Sequence, residues 1–254
     1  MKSIVKQLNL SDDEFKTKLK YLYEGGQSQP QLAKTFGCHL GTIEVYFEKF
    51  GLITRTRSES ARIVKERHIV LSEQEKDVLS GMLLSDMHIE RGAFQGRFTF
   101  GVLHEEFANA IRENLKSATW GCLYPYKPKN SPNLNFFCKS AFSIQIFDLH
   151  KMWYREKTKI VPPELNVISP LTLYWWYLGD GYVCKNRDQI ALCTDAFSKS
   201  ENERLCSILN QTYDLNLRVD AKNRISMYGK NNIHQFLGVI GEPKVKCYEY
   251  KWRV

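Results

Sequence analysis

Two apolar segments of helical length, each ending on one acidic residue, constrain this chain more than any other feature. They are Leu79-Ser-Gly-Met-Leu-Leu-Ser-Asp86 and Leu173-Tyr-Trp-Trp-Tyr-Leu-Gly-Asp180. Small residues recur one turn apart in the first segment, at Gly81 and Ser85, and Gly179 occupies the matching place in the second. Small side chains let helix backbones approach below the usual spacing of about 8–10 Å. We therefore expect the two helices to pack side by side with their acidic ends together.

The residues that flank the segments are typical of helix ends. Ser72 with Glu75 predicts a capping box at the start of the first helix. Ser169 followed by Pro170 predicts the cap and first residue of the second, and Gly181 predicts its end. One apolar helix ending in Asp is common in ordinary protein cores, but two such helices in one chain indicate a shared function.

The two terminal acids, Asp86 and Asp180, are 94 residues apart (180 − 86), and similar strand-rich sequence follows each. Packed helices would bring them together as a paired-carboxylate site. In these features the chain resembles the LAGLIDADG homing endonucleases, in the form where one polypeptide carries both motif helices. The resemblance covers roughly Leu71 to the C-terminus.

Some positions depart from the pattern of that family. Met87 stands where glycine usually follows the first acid, so we expect a different turn there. Leu84 stands where a further acid is also seen. Tyr174 and Trp175 are bulky where small residues are common, and they bear on how closely the two helices can approach.

The same order of predicted elements follows both motif helices. Alternating apolar and polar residues predict strands, and apolar residues at helical spacing predict helices. In the first half the predictions are a strand over 93–100, a helix through Phe107, Ile111 and Leu115, strands over 120–129 and 134–139, and a helix through 147–154. In the second half they are a hairpin over 182–195, a helix over 200–213, strands over 215–220 and 224–228, and a helix over 231–240.

The resemblance implies an α+β fold in which two pseudo-symmetric αββαββα halves form a saddle-shaped antiparallel sheet platform. The polar strand faces of such a platform would lie in successive major grooves of DNA. We expect a small all-α helix-turn-helix domain to precede this platform. We place the helix-turn-helix domain with its basic linker at 1–67 and the endonuclease domain at 68–254, with halves at about 71–165 and 166–254.

Residues 1–67 are predicted to contain helices over 12–23, 29–36 and 40–50, with a tight turn at Gly37. This arrangement is typical of a helix-turn-helix, whose second helix enters the major groove. A plain helical hairpin used only for packing would give the same pattern. A basic linker follows, which could lie along phosphates or be a solvated run of charge. Its basic residues are Arg55, Arg57, Arg62, Lys65 and Arg67.

The composition limits the classes of partner and of protein that this sequence can represent. The net charge of +8 and the pI near 9.0 favour a polyanionic partner. Seven cysteines without CxxC spacing argue against a disulfide framework or a zinc knuckle. No apolar run reaches the roughly 18 residues of a membrane helix, and no secretory signal is evident. We expect an intracellular, cytoplasmic and nucleoid-associated protein, or an organellar one if an organelle genome encodes it.

The resemblance implies metal-dependent phosphodiester hydrolysis at the paired acids. Asp86 and Asp180 would bind Mg²⁺, or another divalent cation such as Mn²⁺, because hard ions prefer oxygen ligands. The family pattern also places one basic residue per half near the attacking water. Lys159 matches best in the first half, with Lys157 as the alternative, and Lys251 matches in the second.

Polar residues of the strand faces, of their turns and of the second helix of the helix-turn-helix are the candidate DNA contacts. Gln and Asn suit adenine, and Arg suits guanine. Solvent-facing polar residues of an ordinary half-exposed sheet would look the same. The candidates are Thr42, Glu44, Lys49, Arg55, Arg57, Gln95, Arg97, Thr99, Lys127, Lys129, Asn135, Lys139, Lys185, Arg187, Asn216, Arg218, Lys222, Arg224, Ser226 and Tyr228.

These features favour a site-specific homing endonuclease that binds a long duplex DNA site as a monomer and hydrolyses both strands. The site is expected to be asymmetric because the two halves differ in sequence. Two alternatives stay open. One is a non-cleaving DNA-binding transcriptional regulator, which loss of the acids would have favoured. The other is an RNA maturase that assists intron splicing, for which RNA would be a further partner. No membrane partner is expected.

Overall fold

The computed structural model describes residues 5, 8, 10–24, 27–56, 69–93, 95–127, 133–184 and 186–253. Contacts between Cα atoms divide the chain into two compact units, Met1–Glu66 and Arg67–Val254. Six residues named above lie outside the described residues: Arg57, Arg62, Lys65, Arg67, Lys129 and Lys185.

The described part of the N-terminal unit contains three helices, α1 (Asp12–Glu24), α2 (Gln29–Thr35) and α3 (Leu40–Lys49). Each lies within one residue of its predicted bounds. A capping box starts α2, and Gly37 turns the chain before α3 with a left-handed φ of 63°. The helices enclose an apolar core whose members include Phe15, Leu19, Tyr23, Leu32, Phe36, Ile43, Tyr46 and Phe47.

The first half of the larger unit has the αββαββα order that the resemblance implies, although its first strand was not among the predicted strands. Its elements are α4 (Glu73–Leu84), β1 (His88–Arg91), β2 (Gly96–Val102), α5 (Glu105–Asn114), β3 (Tyr124–Tyr126), β4 (Asn135–Lys139) and α6 (Ile144–Trp153). The strands form an antiparallel sheet in the order β1-β2-β4-β3. The capping box at the start of α4 is confirmed, since the Ser72 hydroxyl accepts from the Glu75 amide and the Glu75 carboxylate accepts from the Ser72 amide.

A short hairpin that the sequence patterns did not predict follows α6. It consists of β5 (Tyr154–Arg155) and β6 (Thr158–Lys159), joined by a turn in which Glu156 has a positive φ of 54°. The prediction that Tyr154 belongs to the preceding helix is therefore wrong by one residue. The hairpin reverses the chain and carries Lys159 back toward the end of α4.

The second half repeats the order of the first. Its elements are α7 (Pro170–Asp180), β7 (Gly181–Val183), β8 (Gln189–Leu192), α8 (Lys199–Tyr213), β9 (Arg218–Val219), β10 (Ile225–Tyr228) and α9 (Lys230–Ile240). Its sheet has the order β7-β8-β10-β9, which matches that of the first half strand for strand. The α+β fold with two pseudo-symmetric αββαββα halves is confirmed. A 3₁₀ helix, Lys246–Trp252, follows α9 and was not predicted.

Two predicted strands are shorter than expected. The strand over 215–220 is reduced to β9 because the Asn210 side chain takes the place of a strand partner. Its amide donates to the Leu217 carbonyl and accepts from the Leu217 N–H, both at 2.9 Å. The strand over 120–129 begins with only an isolated bridge between Trp120 and Ser140 before β3.

The segment between the two halves is held by side chains of α8. The Arg204 guanidinium donates to the backbone carbonyls of residues 161, 162, 163 and 165. Glu201 accepts from the backbone of the same segment, and the Tyr213 hydroxyl donates to the Ile168 carbonyl. These bonds fix where α7 starts relative to the first half.

The larger unit has one continuous apolar core that draws on both halves. The α7 helix lies within it, and every residue from Thr172 to Leu178 is buried. Within the described residues, none of the helices is long and apolar enough to cross a membrane.

Candidate active site

The site is built where α4 and α7 touch through glycine. A Cβ added at Gly81 would overlap the Thr172 carbonyl oxygen and lie 2.8 Å from the Cβ of Trp175. A Cβ added at Gly179 would overlap the Ser85 hydroxyl and lie 2.7 Å from the Ser85 Cβ. Real Cβ atoms do not approach so closely, so both positions require glycine, as the spacing of small residues predicts.

The bulky residues of α7 do not prevent this approach, because the Trp175 ring and the Tyr174 hydroxyl make their contacts with other elements. The Trp175 ring stacks on Phe107 with the ring centroids 5.9 Å apart. The Tyr174 hydroxyl accepts from the Lys244 amide at 2.8 Å. Across the helix contact itself, the Thr172 hydroxyl donates to the Asp77 backbone carbonyl at 3.1 Å.

The first motif helix ends without glycine. Ser85 leaves the helical conformation at φ −118° and ψ −129°, and the Met87 amide donates to the Met82 carbonyl at 2.9 Å. The Met87 side chain is fully buried. The expected difference in this turn is therefore present. It turns Asp86 outward, and the residue is exposed at the end of the helix.

The two acids share a crowded site beyond the glycine contact. Burial raises the Asp180 pKa from its ordinary 3.8 to about 7, the charge of Asp86 adds to the rise, and Lys159 and Lys251 oppose it. Burial likewise raises the pKa of Asp86, against the charges of the same two lysines. At Asp180 the charge of Asp86 raises the pKa in addition to desolvation, whereas at Asp86 desolvation alone raises it.

Lys159 lies on β6 and reaches the end of α4. Its ammonium donates to the carbonyls of Leu83 and Ser85 at 2.8 Å and to that of Met87 at 3.0 Å. All three N–H bonds therefore hold the turn that presents Asp86. Burial lowers the Lys159 pKa to about 8, against the charges of Asp180 and Asp86. The alternative, Lys157, lies exposed in the hairpin turn.

Lys251 serves the second helix in a corresponding way. It is carried by the C-terminal 3₁₀ helix and is only 3% exposed. Its ammonium donates to the Leu178 carbonyl at 2.7 Å and to the Tyr177 carbonyl at 3.1 Å. Among the described residues, no acceptor is found for its third N–H. Burial lowers its pKa to about 8, again against Asp180 and Asp86.

The start of the 3₁₀ helix is held by the first half. The Glu106 carboxylate, on α5, accepts from the backbone amides of Lys246 and Cys247 at 2.8 and 3.0 Å. At its other end, the Tyr177 hydroxyl donates to the Lys251 carbonyl at 2.8 Å. Lys251 is thus positioned by both halves of the unit. No local pattern in the sequence indicated this.

The donor set at this site fits a hard divalent cation. Asp86 and Asp180, whose pKa values are raised by burial against the charges of the two lysines, offer oxygen ligands of the kind that Mg²⁺ and Mn²⁺ prefer. Across the described ranges, no group of three or more His, Cys, Asp or Glu side chains could hold a metal ion. Asp86 and Asp180 would therefore share the ion with phosphate oxygens and water.

A family model described as the LAGLIDADG DNA endonuclease family matches residues 76–234, well over half of the chain and including both acids. The chain belongs to the LAGLIDADG DNA endonuclease family. No curated protein gives a significant match. Lys251 and its 3₁₀ helix lie beyond the matched residues.

Solved structures share the LAGLIDADG fold. The homing endonuclease I-WcaI bound to its DNA recognition sequence has a TM-score of 0.65 and 19% identity, over 80% of this chain and 96% of that one. Full-length DUF199/WhiA from Thermatoga maritima has a TM-score of 0.46 and 14% identity, over 79% and 68%. I-DmoI in complex with DNA and Mn has a TM-score of 0.42 and 10% identity, over 66% and 96%. At 19% identity, the likeness to the I-WcaI structure concerns the fold alone.

The first LAGLIDADG sheet has a polar face on which one acid organises two predicted DNA contacts. Glu90, which the sequence did not single out, accepts from Arg97 at 2.6 and 3.1 Å and from Lys139 at 3.0 Å. These bonds lower the Glu90 pKa to about 2. The Arg97 guanidinium also lies 4.5 Å from the Phe142 ring centroid. Both basic side chains are therefore held in place before any ligand binds.

The second sheet carries exposed polar groups at its predicted contacts. Arg218 stacks on the Tyr228 ring at 4.7 Å, and Gln189 donates to the Tyr228 hydroxyl at 3.0 Å. Arg224 pairs with Asp195 at 3.0 Å. The other candidates of the second half, Arg187, Asn216 and Lys222, are exposed.

The remaining candidates of the first half differ in their exposure. Lys127 is exposed and Asn135 is half-buried. Gln95 lies in the β1–β2 turn rather than in a strand, where its carbonyl accepts from the Gly92 amide.

Two of the predicted contacts are not available at the surface. Thr99 is fully buried because the His88 side chain, hydrogen-bonded to its hydroxyl, covers it. Ser226 is also fully buried, and its hydroxyl donates to Asp220 at 2.9 Å. Alternation correctly places both on the polar face, but their neighbours cover them, so neither can contact a duplex in this conformation.

In the N-terminal unit, the predicted contacts are partly engaged within the unit itself. Thr42 is half-buried and Glu44 is exposed on α3. Lys49 forms an ion pair with Asp12 at 2.7 Å. Arg55 is not a free linker residue, since its guanidinium lies 3.8 Å from the centroid of the Tyr23 ring.

Proposed function

We propose that this protein is a site-specific homing endonuclease that hydrolyses both strands of a long, asymmetric duplex DNA site. The observation that carries the proposal is the pairing of Asp86 and Asp180, one from each half, between Lys159 and Lys251. Each half contributes one acid, one lysine and one sheet. A single chain therefore supplies everything that two strand cleavages require, and we propose that it acts as a monomer inside the compartment that holds its target DNA.

The acids and lysines have distinct tasks in this proposal. Asp86 and Asp180 would bind Mg²⁺ or Mn²⁺, which when bound orients the attacking water and stabilises the leaving oxygen. Lys159 uses its three N–H bonds to fix the turn that presents Asp86. Lys251 uses two to fix the end of α7 and keeps a third for a water or a phosphate oxygen near Asp180. Their positive charges also favour binding of the scissile phosphates.

Binding would use the polar faces of both sheets, and α3 would enter a major groove as the second helix of a helix-turn-helix. Arg97, Lys139, Arg218 and Arg224 are positioned on the two faces for such contacts. The net charge of +8 supports contact with the phosphate backbone over a long site. Because the two faces differ in sequence, each half-site would be recognised separately.

A library of random duplexes tests this function. The protein is incubated with the library and Mg²⁺, or with EDTA as the control, and the new ends are sequenced. We expect staggered ends at one class of related sequences, with Mg²⁺ only. Enrichment of bound duplexes without any new ends would instead support the non-cleaving regulator.

A further inference from the structure

The outer part of the first sheet carries aromatic rings on the face that also carries Arg97. Phe137 on β4 lies between Gly101 on β2 and Tyr124 on β3, as their register shows. Side chains alternate along a strand, and directly paired residues share a face. Phe137 therefore shares the polar face with Lys139, two positions along, while Cys138 between them is buried in the core.

These rings are accessible to a ligand. Tyr124 is 45% exposed and Tyr126 is 50% exposed. Phe137 is half-buried and Gly101 beside it is exposed. Without a ligand, these apolar rings stay exposed to water beside the basic side chains of the proposed DNA-binding face. Their position on that face indicates that the rings themselves contact the DNA.

The surroundings of Phe137 orient its ring. The Tyr124 ring lies 5.3 Å away, centroid to centroid, with a tilt of 51°. The Lys139 ammonium lies 5.4 Å from the Phe137 centroid. Gly101 has no side chain to cover the ring, and a Cβ there would lie 3.4 Å from Phe137 Cδ2. One flank of the ring therefore stays open.

The second sheet has a different residue at the corresponding place. His88 and Tyr182 each follow one of the acids by two positions. His88 pairs with Thr99, which pairs in turn with Lys139. Tyr182 pairs with Ala191, which pairs in turn with Ser226. Two positions before Lys139 and Ser226 are Phe137 in the first sheet and Arg224 in the second. Arg224 has several N–H donors for a base edge, whereas Phe137 has none.

We propose that Phe137, supported by Tyr124, contacts the 5-methyl group of thymine and so sets a thymine preference in one half-site only. Phe137 cannot hydrogen-bond to a base, and the thymine methyl is the apolar group that base pairs present in the major groove. This proposal rests on the proposed function, because it requires the polar face to lie in that groove.

The test replaces thymine by uracil, which removes the methyl group and keeps the base pairing. A random duplex library is synthesised with dTTP or with dUTP, the full-length protein is added without divalent cations, and bound duplexes are sequenced. We expect thymine to be enriched at outer positions of one half-site, and uracil at the same positions to be enriched about 3–5-fold less, the effect of losing one apolar methyl contact. Preferences in the other half-site should be the same for both libraries.

Three variants separate this contact from a role in folding. Phe137→Ser should lose the thymine preference in the dTTP library, whereas Phe137→Leu, which stays apolar, should keep part of it. Arg224→Gln should alter a preference in the other half-site, equally in both libraries. Equal enrichment of thymine and uracil by the unmodified protein would contradict the proposal and leave the ring pair as cross-strand packing. Enrichment of no sequence in either library would contradict the proposed function and this inference with it.

Discussion

Gly179 lies against Ser85 so closely that a Cβ on the glycine would fall 2.7 Å from the Cβ of the serine. Each of these residues directly precedes one of the paired acids. The contact therefore decides how near Asp86 and Asp180 come to each other, and most of the expected behaviour of the site follows from it.

Replacing Gly179 by Ala should force the ends of the two motif helices apart. We expect the free energy of unfolding to fall by about 2–3 kcal/mol, because the added methyl has no space. Gly238→Ala is the matched control, since nothing lies within 4 Å of a Cβ there and the residue is in the interior of α9. It should stabilise the protein by about 0.5–1 kcal/mol. Urea unfolding measures both.

The double variant Gly179→Ala with Ser85→Gly removes the atoms that the new methyl would strike. Stability should recover in part if the overlap with Ser85 is the cause. A double variant no more stable than Gly179→Ala alone would show that this contact does not limit the approach of the helices.

Asp180 should make the metal-free protein less stable as the pH rises. Its pKa is raised from 3.8 to about 7 in the folded state, so between these values the folded protein binds more protons than the unfolded chain, and stability falls with increasing pH. Asp180→Asn should therefore raise the free energy of unfolding by about 1–3 kcal/mol at pH 8 and have little effect near pH 4. Denaturant unfolding at both pH values measures this difference.

Asp214→Asn makes the same chemical change at a position that does not belong to the site. Asp214 adopts a left-handed conformation at the end of α8, which Asn also tolerates. Its effect on stability should be small at both pH values. A gain for Asp180→Asn that is equal at pH 4 and pH 8 would contradict the burial of an ionisable Asp180 carboxylate.

Lys159 and Lys157 should behave differently although they are two residues apart. Lys159→Met removes the three hydrogen bonds that hold the turn before and after Asp86, and strand cleavage should slow by about 10²-fold or more. Lys157→Met changes only an exposed turn residue and should leave the cleavage rate within about twofold. Single-turnover rates on a mapped target distinguish them, and equal losses would reopen the choice between the two lysines.

Salt should weaken DNA binding steeply. The logarithm of the affinity is expected to fall with the logarithm of the salt concentration with a slope of about −0.9 for each phosphate contacted. Deleting residues 1–66 should weaken binding more than it slows cleavage of bound DNA, because the paired acids lie wholly in the other unit. Unchanged affinity and salt slope in the truncated chain would remove the helix-turn-helix from the proposed interface.

The central parts of the site could be predicted from sequence because their signals are local. Helical spacing gives the apolar runs, and small residues one turn apart predict that Gly81 and Gly179 lie in the helix contact. The terminal acids follow from the same two segments. The order of strands and helices also repeats visibly along the chain, and the family model and the shared sheet order confirm the fold.

The parts that could not be predicted depend on contacts between distant residues. The hairpin that carries Lys159 consists of two-residue strands, which are too short to leave a periodic pattern. The position of Lys251 depends on Glu106, which lies 145 residues earlier (251 − 106). The burial of Thr99 and Ser226 is decided by cross-strand neighbours. Glu90 lies directly opposite Arg97 in the β1–β2 hairpin, so a prediction of this hairpin would have identified it.

The most direct measurement is cleavage of each strand of a mapped target by Asp86→Asn and by Asp180→Asn, with Asp214→Asn as the control. Both site variants should bind the target in Mg²⁺ with nearly unchanged affinity and fail to make a double-strand break, while the control cuts both strands at the rate of the unmodified protein. Double-strand cleavage at an unchanged rate by either site variant would contradict a shared site formed by the two acids.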